Sequence, residues 1–390
     1  MRRLRILFVL AFVSALSTMS MDYFAPSLPS VTRDFGASVE AVKSTMTMFL
    51  IGYGFGPFVL GSLADRIGRR KVMLIGLGGY LLASLGCMLS PHVTAFLGFR
   101  AAQGFCAAST AIIARAVLRD VYGPTGATKA IASMFLIMVW VPIAAPFIGG
   151  MTSALFDWRI NFLVMMCVAG AVMLAAYAWL EETNPAHLRT GLPVAGRWKE
   201  ILTHRVFLRH TLTNMFLFAT LLLFLSNYTY VTEALYGFTS RQNGFVLTAF
   251  NAAVAAGFYL VWFTVPRIGV ERSMRAGLWM ASVGWVSILA LSLAPETNVA
   301  MMLPLVAAAC LGTGLVVSLA AGEALVPFAH AAGTASALFI LVQSMGASLL
   351  NFAVSLSFDV TLPHLAALMA ACALLSLATS RLSARPGSAE

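Results

Sequence analysis

Four ionisable side chains interrupt otherwise long apolar runs of this sequence: Asp22, Arg100, Arg115 and Glu323. In such a setting a carboxylate can take up and release a proton, and an arginine can neutralise it or hold backbone carbonyls. Centring a charge in a membrane helix costs about 2.5–3.5 kcal/mol on the mildest scale, so charges kept there are the first candidates for function. Motifs for covalent chemistry are missing. There is no HExxH and no Gly-x-Ser-x-Gly, and none of the four lysines follows a glycine, which excludes a Gly-x-x-x-x-Gly-Lys phosphate loop. The five cysteines show no CxxC spacing and the six histidines fall mostly in loops or at span ends, so neither a metal site nor a cofactor is expected. Work done by this chain would draw on a gradient rather than on nucleotide hydrolysis within it, and it is not expected to be an enzyme.

The elements that must position these groups are membrane helices. Hydrophobic residues make up 60% of the 390 positions, charged residues 10%, and mean hydropathy is +0.87; a soluble domain carries about 25% charged residues. Twelve apolar blocks are each long enough to cross a hydrocarbon layer of about 30 Å. They run over 4–25, 41–63, 72–90, 93–117, 129–154, 159–180, 207–231, 243–265, 274–294, 299–326, 331–356 and 362–381. Unpaired backbone groups are too costly in lipid for anything but helices or closed barrels, and the runs lack the alternation of barrel strands. The net charge of +10 sorts by side rather than marking a nucleic-acid partner. Of 25 basic residues, 19 fall in segments that threading from a cytoplasmic N-terminus places inside, and only Arg33, Lys43, Arg159 and Arg241 fall outside, with Arg100 and Arg115 within spans. The positive-inside rule therefore places both termini in the cytoplasm of a multi-pass inner-membrane protein. The basic start Met1 to Arg5 resembles a signal peptide, but no small-residue cleavage site follows, so the first run is read as a span.

The chain also repeats itself. Arg66-Ile67-Gly68 recurs as Arg267-Ile268-Gly269, and the stretch from Ala132 to Val139 echoes that from Ala335 to Val342. Both offsets are close to half the length, and Glu181 to Arg209 is the longest polar stretch between the copies. The expected organisation is an N-terminal six-helix bundle over 1–183, a cytoplasmic linker over 184–206 and a C-terminal six-helix bundle over 207–390. Parallel six-span halves are an arrangement of secondary transporters, with substrate held near the bilayer midplane.

Several motifs carry a resemblance. Gly61-Ser62-Leu63-Ala64-Asp65-Arg66-Ile67-Gly68-Arg69-Arg70 resembles the loop signature between spans two and three of the major facilitator superfamily. Asp22-Tyr23-Phe24-Ala25-Pro26-Ser27-Leu28-Pro29 is similar to the end of span one in the Bcr/CflA drug-resistance branch, with Phe24 where tyrosine is usual. Leu97 to Gly104 resembles the family's span-four motif, and Pro142, Pro146, Gly149 and Gly150 its antiporter motif in span five, where Trp140 departs from the usual small residues. The resemblance spans essentially the whole chain. It implies an all-α integral membrane protein with the twelve-helix major-facilitator fold, exporting small organic molecules such as drugs or antibiotics in exchange for protons. Export of a specific metabolite, such as a siderophore or an amino-acid derivative, and proton-coupled uptake are the alternatives. Expected partners are that substrate, protons and membrane lipid, with the chain acting as a monomer.

Roles follow residue by residue. Asp22 lies about 27 Å along an outward-running first span and Arg100 about 10 Å below the outer edge of the fourth, at about 1.5 Å per residue, so both are placed in the outer third. Spans one and four line the cavity in the resembling fold, so Asp22 is expected to bind the proton and Arg100 to pair with it when it is ionised. Glu323 is a second candidate proton site; with Arg115 it could instead close an inner gate, or both could be interfacial charges. Gly61 is expected to let helices approach and Asp65 to face the positive N-terminus of span eleven, with Arg66, Gly68, Arg69 and Arg70 completing a conformational latch. Tyr23, Gln103, Arg115, Asn227, Tyr228 and Asn251 are candidate substrate contacts or helix-helix hydrogen-bond partners.

Overall fold

A computed structural model describes residues 2–184, 198–294, 299–357 and 361–382. The linker residues 185–197, with Arg189 and Arg197, lie outside the described residues, as does Arg385. Among the described residues twelve helices are long and apolar enough to cross a membrane. The first to sixth spans are Arg3–Phe35, Val39–Ile67, Arg69–Leu89, Val93–Gly123, Ser133–Leu155 and Ile160–Trp179. The seventh to twelfth are Arg205–Tyr236, Ser240–Ile268, Val270–Ser292, Met301–Phe328, Gly333–Val354 and Leu362–Thr379.

The first span departs most from expectation: helix continues to Phe35 instead of stopping near residue 25. It does so in pieces, Arg2–Asp22, a 3-10 turn Ala25–Ser27 and Leu28–Phe35. Proline explains the break. Pro26 has no N–H to offer the Asp22 carbonyl, and its ring would collide with that carbonyl in a continuous helix. Pro29 then sits in the first turn of Leu28–Phe35, where a missing N–H costs nothing. The fourth and fifth spans are joined by helical turns that bend at Gly123, whose φ of 70° belongs to the left-handed region.

Contacts group the chain into two compact units that cut across the covalent halves: Met1–Pro193 with Tyr228–Thr248, and Val194–Asn227 with Ala249–Glu390. In the first unit, spans two and four cross where glycine removes the side chain. A methyl group on Gly52 would overlap the Ala101 carbonyl oxygen, and one on Gly104 the Phe49 carbonyl oxygen. In the second unit spans eight and ten cross in the same manner, with Gly257 against Leu311 and Gly314 against the Val254 carbonyl. Small residues at crossings are how lipid-embedded helices gain packing without a hydrophobic drive between them. The sequence echo also has a structural counterpart: Gly68 (φ 112°) and Gly269 (φ 80°) each end one helix and cap the next, donating to the Ala64 and Val265 carbonyls at 3.1 and 2.9 Å.

Gly104→Leu should therefore abolish the monodisperse detergent-extracted peak in fluorescence size-exclusion chromatography. Gly78→Ala, where an added Cβ meets nothing within 4 Å, should leave it intact.

Candidate functional site

Within the first unit, the break in the first span organises a buried polar layer. The last carbonyls of an α-helix have no intrahelical partner. Met19 receives the N–H of Tyr23 at 3.0 Å, and Ser20 receives Nη1 of Arg100 at 3.2 Å. Arg100 itself is 0% exposed. Its Nη1 also donates to Gln103 Oε1 at 2.6 Å and its Nη2 reaches Met46 Sδ at 3.7 Å. Three rings surround the guanidinium, Phe49 at 4.7 Å, Phe24 at 5.0 Å and Phe162 at 6.0 Å. Cation–π contacts of about 2 kcal/mol in a desolvated setting offset part of the burial cost. Phe24 and Phe162 belong to a larger aromatic cluster with Phe96, Phe35 and Trp158.

The direct pair expected between Asp22 and Arg100 is not what holds Arg100. Its hydrogen bonds go to a carbonyl, an amide oxygen and a thioether, because the released Ser20 carbonyl lies in reach where the helix ends. Asp22 stands at that break, 8% exposed. Nor does it sit at a span end: thirteen residues of the first span follow it. Tyr228 is 2% exposed and donates to the Asn243 carbonyl at 3.1 Å.

Lys43 was missed by sequence reasoning, which counted it with the outer loops. Although it sits at the start of the 41–63 run, Lys43 lies a full turn inside the second helix, which begins at Val39; it is 3% exposed, with its ammonium 5.2 Å from the Tyr230 ring. It lies one turn from Met46 and two from Phe49 and Leu50, the face that meets Arg100, and that i, i+3 spacing was the available signal. Asp22, Lys43 and Arg100 are the buried charged residues of the first unit among the described residues. Towards the end of the same unit, Arg33 pairs with Glu233 at 2.5 Å and Tyr230 shares a 2.8 Å hydrogen bond with Thr32.

The other expected residues fall into separate places. Tyr23 and Gln103 are enclosed rather than open: Tyr23 is 1% exposed and meets Thr152, while the Gln103 amide donates to Ser84 at 2.8 Å. Arg115, half-buried, donates from Nε to the Ala111 carbonyl at 3.4 Å. In the second unit Asn227 donates to the Leu223 carbonyl at 2.8 Å, Asn251 is half-buried on the eighth span, and Glu323 is half-buried on the tenth. In the antiporter motif, Pro142 falls in the first turn of helix Trp140–Leu155 and Pro146 within it. A Cβ on Gly149 would overlap the Tyr23 carbonyl oxygen, and Gly150 lies against Ser240 and Gly244. Trp140 is 64% exposed.

In the loop after span two, Arg69 is the organiser. It forms an ion pair with Asp120, donates to the Ala116 carbonyl at 2.9 Å, and lies 3.9 Å from Asp65. Its backbone N–H donates to Glu182 at 2.8 Å, and Asn184 donates to the Asp65 carbonyl at 3.1 Å. Arg70 caps the Tyr177 carbonyl at 2.7 Å. Close helix approach at Gly61 is not found: a Cβ there meets only Ile112 Cγ2 at 4.0 Å, since the crossing glycines of this span are Gly52 and Gly56.

Twelve helices long and apolar enough to cross a membrane, with charged residues buried among them, describe a multi-pass membrane protein. The sequence profile of the Major Facilitator Superfamily matches residues 10–351, and this chain belongs to that family. Multidrug resistance protein D of Escherichia coli is 27% identical over 359 residues, 90% of this chain and 88% of the relative. The bicyclomycin resistance protein homolog of Haemophilus influenzae is 25% identical over 272 residues, 69% and 68% of the two chains. These names fit the Bcr/CflA drug-resistance branch. Among solved structures, a D-xylose-proton symporter aligns over 97% of both chains with a TM-score of 0.77 at 15% identity, a likeness of fold.

Arg69→Gln removes a partly buried ion pair and should lower the melting temperature in detergent by about 2–4 °C, the equivalent of roughly 1 kcal/mol. Arg66→Gln, one turn away with no ion pair among the described residues, should leave it unchanged.

Proposed function

We propose that this protein is a proton-coupled antiporter that exports small organic molecules, drugs or antibiotics among them, across the bacterial inner membrane by alternating access. Residues 1–183 and 207–390 would be the moving halves, joined by 184–206, with both termini in the cytoplasm. The observation that carries this reading is the buried carboxylate of Asp22 at the break in the first span. An ionisable group kept within a membrane span is a candidate for a proton pathway, and the resistance names of the relatives support efflux. Substrate would enter from the cytoplasm or inner leaflet, leave outside, and be replaced by a proton on Asp22. Arg100 would act as the positioning residue that couples the break to span four, with Glu323 as a second proton site. The segment from Gly61 to Arg70 would latch one state, and the glycines and prolines of span five would seal it against leak. Each inward proton supplies about 2.3 kcal/mol per 100 mV, enough for about fiftyfold accumulation, whereas exchange of one cation for one proton depends on the pH gradient alone.

Charge balance favours a second reading alongside the first. Lys43 and Arg100 outnumber Asp22 in the buried layer, which suits a neutral or anionic substrate better than a cationic dye. Export of a carboxylate-bearing metabolite or a siderophore is therefore the runner-up.

Inverted membrane vesicles energised with a proton gradient test both. Cationic dyes, phenicols and siderophores are added in turn, and proton release from the lumen is followed. The expected outcome is substrate-dependent release that Asp22→Asn abolishes, and Lys43→Met should shift preference toward the cationic compounds. Normal exchange by Asp22→Asn would remove Asp22 from the coupling path.

A further inference from the structure

A cavity of about 490 Å³ opens in the second unit, apart from every residue used above. Arg209 of the seventh span, Glu271 and Arg275 of the ninth, and Arg381 just beyond the twelfth supply its charges. Three arginines against one glutamate leave a net +2. Glu271 is occupied by Arg275 at 3.2 Å, one turn along the same helix. Among the described residues no carboxylate pairs with Arg209 or Arg381, and the buried Nε of Arg209 has no hydrogen-bond partner. An anion of about two charges would complete this site.

The remaining wall says what the anion is attached to. Met274, Leu278 and Leu377 are buried at its base, while Trp279 and Leu382 are 48% and 52% exposed at its rim. Trp279 follows Arg275 by four residues, about 6 Å farther into the span, the spacing of an interfacial tryptophan below a headgroup contact. The seventh and ninth spans begin at this end and the twelfth finishes there, which the distribution of basic residues assigns to the cytoplasm. Basic clefts between membrane helices on that side suit anionic headgroups, with acyl chains following the apolar wall. We infer that the cleft between the inner ends of spans seven, nine and twelve is a binding site for an anionic phospholipid of the cytoplasmic leaflet, with Arg209 and Arg381 holding its phosphate oxygens. A doubly charged lipid matches the net +2 best.

The experiment uses the full chain in a lipid-free detergent, titrated with cardiolipin, phosphatidylglycerol, phosphatidylcholine or inorganic phosphate. Retained lipid is counted by native mass spectrometry and thermal stability is followed in parallel. Cardiolipin should bind most tightly, phosphatidylcholine weakly, and inorganic phosphate should neither stabilise the protein nor displace lipid. The double variant Arg209→Gln, Arg381→Gln should bind cardiolipin on the order of thirtyfold more weakly, about 2 kcal/mol for two basic contacts. Arg272→Gln, exposed on the same helix but outside the cleft, should bind as the parent does. Equal cardiolipin binding by parent and double variant would overturn the assignment, as would an equal loss in Arg272→Gln. Stabilisation and displacement by inorganic phosphate would replace it with a soluble-anion site. If the double variant does not fold, Arg209→Lys, Arg381→Lys keeps both charges and must keep the preference for anionic lipid; loss of that preference also counts against the site.

Discussion

A guanidinium with no exposure inside a lipid-embedded bundle has to be compensated locally, and much of the first unit is arranged to do so. Arg100 draws on a carbonyl that only a terminating helix can offer, on an amide held in place by Ser84, and on three aromatic faces. Each demand fixes a neighbour. The free Ser20 carbonyl requires the first helix to end at Asp22, Pro26 ends it there, and Gly104 lets span four come close enough to span two for Met46 and Phe49 to reach the guanidinium. Removing the charge would leave those groups without their common partner, so the cation specifies the packing as much as it burdens it.

The same break gives the acid its setting. Asp22 sits where the helix stops and the 3-10 turn begins, in a unit that also takes in Tyr228–Thr248 although that segment lies beyond residue 207 in sequence. Lys43 and Tyr230 stand in the same unit, as does the Arg33–Glu233 pair. A change in the charge of Asp22 therefore acts in a unit that also buries two cations, where protonation has leverage on structure.

Periodicity and charge placement reveal the membrane class and the spans readily, because a run of twenty apolar residues has few other uses. The repeat is also legible, since Gly68 and Gly269 must each adopt a backbone that favours glycine. Partnerships are harder. Asp22 and Arg100 look paired when depth is counted along straight helices, but the proline-driven break hands Arg100 a carbonyl instead. Lys43 reads as an outer-side charge at the start of the 41–63 run, and only the structure buries it. Gly61 stands in a motif and yet has only one loose neighbour, Ile112, while Gly52 and Gly104, outside the loop signature, make the crossing. Composition reports burial in lipid; it does not report which side chain a helix end releases.

The central claim is that Asp22 changes protonation during the cycle, and infrared difference spectroscopy of the purified protein measures this directly. A pH titration should reveal a protonated-carboxyl band that is absent from Asp22→Asn and that declines when an exported compound binds. If the bands of Asp22→Asn and the parent titrate identically, Asp22 holds one charge state throughout and this account of the coupling is wrong.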